Sequence, residues 1–329
     1  MKSRTRFFVL FVVLLFIPSL LFSQETAEGE LSRGQALTLA GASLASNAAT
    51  ITGLGFIDET QMTQFNFPWW MLATIGTHHV PLYLLDQRAA LTYTLIDTAL
   101  VGAHLATKQW PTLTSAPFSL FAYNEFYSTY EIYQTARSRV PGSYGEVLPA
   151  HGRFELAMAQ FSPEVVSDPL FLASVLSSTA IQITSAVLSD EAIWATGETW
   201  VDGEQLHPAV AIPYVTITNW LRFTATAVGE EALYRGVVYE ELNTVLDPTW
   251  AKVVDMLIFP LIHVPSDLAR GRSWGSIGIQ FGIRMATTLL FDIAYDRGGL
   301  PLSTGIHSWF NFVAFTARWM KTGGVQSSP

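Results

Sequence analysis

Residues 207–235 read HPAVAIPYVTITNWLRFTATAVGEEALYR, and the reading of that stretch decides the fold. An apolar run close to the roughly 20 residues that span a bilayer as a helix leads directly into Glu230, Glu231 and, four positions on, Arg235. Two later stretches also set ionisable or amide side chains in apolar sequence: Phe259 to His263 and His307 to Asn311. An ionisable group at the centre of a membrane helix costs roughly 2.5–3.5 kcal/mol on insertion scales, so such groups persist when paired, facing a wet cavity or doing chemistry.

The rest of the chain agrees with a membrane reading. Half of the 329 residues are hydrophobic, and 14% are charged, against roughly a quarter in soluble domains. Mean hydropathy is +0.30. Cysteine is absent, which excludes disulfides, thiolate metal sites and a cysteine nucleophile. The net charge of −9 forms no basic stripe, so no nucleic-acid partner is expected.

Lys2, Arg4 and Arg6, an apolar run from Phe7 to Phe22 and the polar Ser23-Gln24-Glu25 have the layout of a secretory signal peptide over residues 1–23, with an uncleaved signal anchor as the alternative. Beyond it, apolar stretches near 36–57, 67–85, 89–107, 168–189, 207–228, 251–264, 274–295 and 301–320 have the length and punctuation of membrane helices. The expected fold class is therefore all-α: a polytopic membrane helix bundle of roughly eight transmembrane helices. The breaker-rich connection from Val140 to Asp168 divides it into an N-terminal membrane-helical region, 24–165, and a C-terminal region, 166–329. The segment Phe118 to Arg139 interleaves Phe121, Tyr123, Phe126, Tyr127, Tyr130 and Tyr133 with polar residues, which suits either an interfacial helix or one buried against the bundle.

Helical geometry sorts the chemistry. Residues four apart share a face, so Arg235 is expected to pair with Glu231, while Glu230 points about 100° away and stays available. A carboxylate in an apolar, partly dry site is a competent general base near neutral pH, which makes Glu230 the candidate base and Glu231 with Arg235 its support. His263 shares a face with Phe259, and His307 with Asn311, a pair able to direct two donors at a developing oxyanion.

An EExxxR stretch, then FxxxH, then HxxxN, in this order on successive apolar helices, resembles the CPBP (Abi) family of intramembrane proteases, which includes the type II CAAX prenyl endopeptidases. The resemblance covers about residues 215–320. It implies that Glu230 and His263 activate a water, that His307 and Asn311 stabilise the oxyanion, and that Glu231, Arg235 and Phe259 support them. The implied activity is endopeptidase hydrolysis of a membrane-associated peptide or protein in the lipid bilayer of a bacterial inner membrane. The glutamate-type relatives imply a metal-free mechanism with no cofactor; a zinc set of Glu230, His263 and His307 is the alternative, although HExxH is absent. The competing class is a non-enzymatic polytopic membrane protein, with a scaffold, immunity or transport role, that keeps the polar cluster structurally. Tyr234 stands where the family commonly has phenylalanine, and Pro265 is expected to end or kink the helix of His263.

Other stretches read as bland. Gly271-Arg272-Ser273-Trp274-Gly275 matches G-x-S-x-G but lacks the strand–turn–helix context of a nucleophile elbow. Gly41-Ala42-Ser43 and the Gly278/Gly282 pair read as small-residue helix packing. His78-His79 reads as interfacial or core, since partners at ligand spacing are missing, and Glu240-Glu241 as a solvated helix end.

Overall fold

The computed structural model describes residues 30–55, 79–106, 111–142, 151–188, 196–201, 204–269 and 271–323. The expected signal segment, 1–23, lies outside them, as does most of the expected span 67–85. The described chain is mostly helical: α1 (Arg33–Gly55), α2 (Val80–Leu85), α3 (Gln87–Ala106), α4 (Pro111–Ser138), short α5 (Arg153–Met158) and α6 (Pro163–Val166), α7 (Pro169–Val187), α8 (Pro208–Leu233), α9 (Glu240–Val245), α10 (Pro248–Ala269) and α11 (Trp274–Thr322). One antiparallel hairpin, β1 (Thr199–Val201) with β2 (Glu204–Leu206), departs from the all-α expectation. Asp202-Gly203 between the strands is a two-residue hairpin signal in the sequence. The hairpin holds the end of α11, for Trp319 Nε1 donates to the Trp200 carbonyl at 3.1 Å and the Trp200 N–H to that of Gly323 at 2.7 Å.

The helix starts follow local chemistry. Pro208 occupies the first turn of α8, and the imidazole of His207 accepts the Ala209 N–H at 3.2 Å, satisfying one of the donors a helix start leaves open. Asp247 does the same for α10, accepting from the N–H groups of Thr249 and Trp250 at 3.0 and 3.3 Å. Pro265 does not end α10, which continues through Pro260 and Pro265 to Ala269. The two expected spans 274–295 and 301–320 are the arms of α11, separated at Gly298 and Gly299. Gly299 has φ of +66°, a conformation that a Cβ strongly disfavours.

By length and composition, one described helix, α11, is suited to crossing a membrane, and Arg153–Val166 with Pro169–Thr184, bent by 110°, qualify together. Outer faces of α7 and α8 carry exposed large apolar side chains, among them Leu176, Ile181, Ile217 and Leu221. Apolar side chains left exposed along a helix face are what a protein presents to lipid or to a partner.

The largest apolar core joins both halves of the sequence, drawing on Leu31 and Tyr93 as well as Val228 and Leu300. In the tyrosine-rich α4, Phe121, Phe126, Tyr127, Tyr130 and Tyr133 are buried, so the bundle alternative describes it and the interfacial one does not. It packs on α8 closely enough that a Cβ at Gly229 would stand 2.6 Å from the Tyr123 carbonyl oxygen, and on the chain just beyond α8 closely enough that one at Gly236 would stand 2.5 Å from the Tyr130 ring. Gly278 and Gly282 are different: among the described residues a Cβ at either meets nothing within 4 Å, so the expected close packing falls instead at Gly229 and Gly236. Ser43 does serve packing, bonding Thr129 across α1 and α4 at 2.7 Å.

Glu240 and Glu241 also correct the reading of a solvated helix end. Glu240 pairs with Arg137 at 3.0 Å and accepts from the Tyr295 hydroxyl at 2.6 Å, while Glu241 takes Arg33 at 3.1 Å and the Tyr133 hydroxyl at 2.7 Å. The cations sit on other helices, which a search at helical spacing does not reach.

Candidate active site

The three motif stretches meet where the C-terminal end of α8, the middle of α10 and both arms of α11 pack together. Directly after Glu231 the backbone widens from α8 into a six-residue π-helical turn, Tyr234–Tyr239, an irregularity frequent at functional sites.

Arg235 anchors the region and is fully buried. It donates from Nη1 to Glu231 Oε1 at 3.1 Å, from Nε to Asp292 Oδ1 at 3.0 Å and from Nη2 to the Thr288 carbonyl at 3.1 Å, and Asp255 lies 3.6 Å from Nη2. The rings of Phe259 and Phe291 flank the guanidinium, with centroids 5.5 and 5.3 Å away. The expected Glu231–Arg235 pair is therefore present, but it belongs to a larger cluster. Buried charges are tolerated when paired and hydrogen-bonded, and the planar five-donor fork of arginine can serve several acceptors at once. The sequence reading missed Asp255 and Asp292. The signal that singled out Glu230 applies equally to them, since both carboxylates fall inside apolar spans.

His307 joins the two glutamates. Its Nδ1 lies 2.7 Å from Glu231 Oε1, and its Nε2 lies 3.4 Å from Glu230 Oε2. A carboxylate only accepts, so Nδ1 carries a proton and donates it to Glu231. The imidazole is buried and stacked on Phe291, with centroids 4.3 Å apart and planes at 18°. Glu230 and Glu231 thus diverge along the helix yet both reach His307, because the ring offers nitrogens on two sides. Glu231 is fully buried, whereas the Glu230 side chain retains 12% exposure, which leaves Glu230 as the carboxylate that water can reach.

His263 reaches the group through packing. Tyr234 meets Phe259 edge to face at 4.7 Å, and the Phe259 and His263 ring centroids lie 4.9 Å apart. His263 Nδ1 donates to the Phe259 carbonyl at 2.7 Å, which fixes the tautomer so that a neutral ring presents Nε2 as an acceptor. Asn311 follows His307 by one turn on the same face of α11 and is half-buried.

The structure thus brings Glu230, Glu231, Arg235 and His307 into direct contact, with Phe259 and His263 packed alongside. Glu230, His263 and His307 do not form a group with ligand atoms within 4.8 Å of one another; among the described residues that arrangement occurs at His79, Asp97 and Glu125. Ser273, the serine of the G-x-S-x-G stretch, caps α11 by accepting the Ser276 N–H at 3.3 Å, a structural task that accounts for it.

Residues 213–313 match the family model described as type II CAAX prenyl endopeptidase Rce1-like. The match includes all seven motif residues and supports the family resemblance. No curated protein and no solved structure matches.

Proposed function

We propose that this chain is an intramembrane endopeptidase that hydrolyses a peptide bond of a membrane-associated, CAAX-like substrate by glutamate-activated water. The observation that carries this reading is the buried His307 held between Glu230 and Glu231, inside the region matched by the family model. A purely structural network would satisfy each buried group; here one carboxylate anchors the imidazole and the other keeps access to water.

In this reading, Glu230 takes one proton of a water whose oxygen attacks the scissile carbonyl carbon, while His263 Nε2 accepts a hydrogen bond from the other hydrogen of that water and orients it. The carbonyl oxygen becomes an oxyanion stabilised by donors from His307 and Asn311. With its Nδ1 proton committed to Glu231, His307 donates from Nε2 as the imidazolium. Collapse breaks the C–N bond, and the proton held by Glu230 passes to the departing amine. Glu231, Arg235 and Phe259 position the pair, and no metal is required. Metal-free chemistry, the signal peptide and a polytopic arrangement of roughly eight spans belong to the same proposal.

The test is cleavage of a prenylated reporter peptide by the full chain reconstituted in liposomes. Glu230→Gln is expected to lower kcat by about 100–10,000-fold, the range for loss of a general base, with membrane insertion unchanged. Turnover like that of the unmodified enzyme would refute the role of Glu230. Inactivation by a chelator with restoration by zinc would refute the metal-free mechanism.

A further inference from the structure

A second polar cluster lies outside the matched region. His79, at the start of α2, Asp97 on α3 and Glu125 on α4 converge with their ligand atoms within 4.8 Å of one another, and all three are buried. His79 Nε2 lies 3.1 Å from Asp97 Oδ2 and 3.1 Å from Glu125 Oε1. Donor atoms held about 2.0–2.2 Å from a zinc-like ion lie about 3.0–3.5 Å apart, so these separations match the edges of a coordination polyhedron.

Two further observations point to a cation. Asp97 and Glu125 are buried together, and the single imidazole between them offsets at most one of their two charges; a carboxylate charge left uncompensated in a buried site is costly. Moreover, the second shell orients the imidazole as a ligand. Thr94 donates its hydroxyl proton to the Ala90 carbonyl at 2.9 Å, so its oxygen serves as acceptor for His79 Nδ1 at 3.1 Å. That places the proton on Nδ1 and turns Nε2 toward the two carboxylates, the orienting pattern common to metal-bound histidines. Asp97 is oriented in turn: Asn124 Nδ2 donates to its Oδ1 at 2.5 Å, and Asn124 Oδ1 accepts from Arg153.

We propose that His79, Asp97 and Glu125 bind a divalent first-row transition-metal ion of the zinc class. One imidazole with two carboxylates suits such an ion, and two carboxylates neutralise its charge. The cluster is closed to solvent, which is the character of a structural site. Three donors leave coordination to be completed by a second carboxylate oxygen or a water. The ion joins α2, α3 and α4 at a point of consequence: Tyr123, two residues before Glu125, is the residue that abuts Gly229, beside Glu230. Metal here braces the wall against which the glutamate motif packs and takes no part in hydrolysis. The sequence hid the cluster because its three members lie 18 and 28 positions apart, as 97 − 79 and 125 − 97.

The full chain, purified in detergent and stripped with chelator, is reloaded with zinc, desalted and assayed for bound metal. About one zinc per chain is expected, both in the unmodified protein and in Glu230→Gln/His263→Gln, which lacks two ligands of the competing set. His79→Gln and Asp97→Asn are expected to bind at least about 100-fold more weakly, since even outer-shell losses cost 10–100-fold. X-ray absorption of the unmodified protein loaded with cobalt, expected to show one imidazole among oxygen donors, decides the matter should those variants fail to fold. No retained zinc, full retention in His79→Gln and Asp97→Asn, loss in the Glu230/His263 variant, or two coordinated imidazoles would each overturn the proposal.

Discussion

Replacing Arg235 with Met removes one positive charge from the midst of three carboxylates. The guanidinium makes two hydrogen bonds to carboxylates, to Glu231 and Asp292, one to the Thr288 carbonyl, and sits 3.6 Å from Asp255. Hydrogen bonds to charged groups contribute about 1.5–3 kcal/mol each, but burying a guanidinium offsets much of that sum. The larger effect is what remains: breaking a buried pair by removing one partner costs about 3–5 kcal/mol, because an uncompensated charge stays behind. Arg235→Met is expected to lose that much, measured by titrating the protein from mild detergent into SDS and following tryptophan fluorescence. If stranded charge is the cause, Asp255→Asn and Asp292→Asn added to Arg235→Met should restore at least about 2 kcal/mol, the non-additivity expected within one network. An Arg235→Met protein within about 0.5 kcal/mol of the unmodified one, or a triple variant no more stable than the single, would refute the reasoning.

Two further outcomes follow from the same contacts. Gly229→Val drives a side chain into the Tyr123 backbone and is expected to cost about 1–3 kcal/mol, as overpacking does, in the same titration; Gly278→Ala, where a Cβ meets nothing, should cost nothing, and equal losses at both would show that the α4–α8 approach is not tight. Glu231→Gln keeps an acceptor for His307 Nδ1 but removes the charge, so kcat should fall about 10–100-fold, as for loss of an orienting partner, with KM little changed; an unchanged kcat would remove Glu231 from the positioning role.

Much of the candidate site was legible before any fold was known. Apolar runs located the helices on which the motif residues lie, and i, i+4 spacing paired Glu231 with Arg235. Spacing also separated Glu230 from Glu231 by 100°, which is correct for the backbone; it did not anticipate that one imidazole would span both. His79 shows the same limit more sharply: read alone it looked like a core histidine, and its partners come from two other helices. The Gly278/Gly282 pair erred in the opposite direction, since small residues at the right spacing permit close packing without requiring a neighbour.

Hydropathy and helical period are properties of the chain itself, each fixed within a few turns. They were therefore enough to establish a mostly helical chain with long apolar stretches and to order its glutamate, histidine and asparagine along successive helices. The pairing of Arg235 with Asp255 and Asp292, the bridge of His307 between two glutamates, and the meeting of His79 with Asp97 and Glu125 join residues up to 77 positions apart (His307 to Glu230). Such contacts depend on how far each helix is rotated and slid against its neighbours. That register is set by the packing of whole faces, such as Gly229 against Tyr123, and no local spacing encodes it.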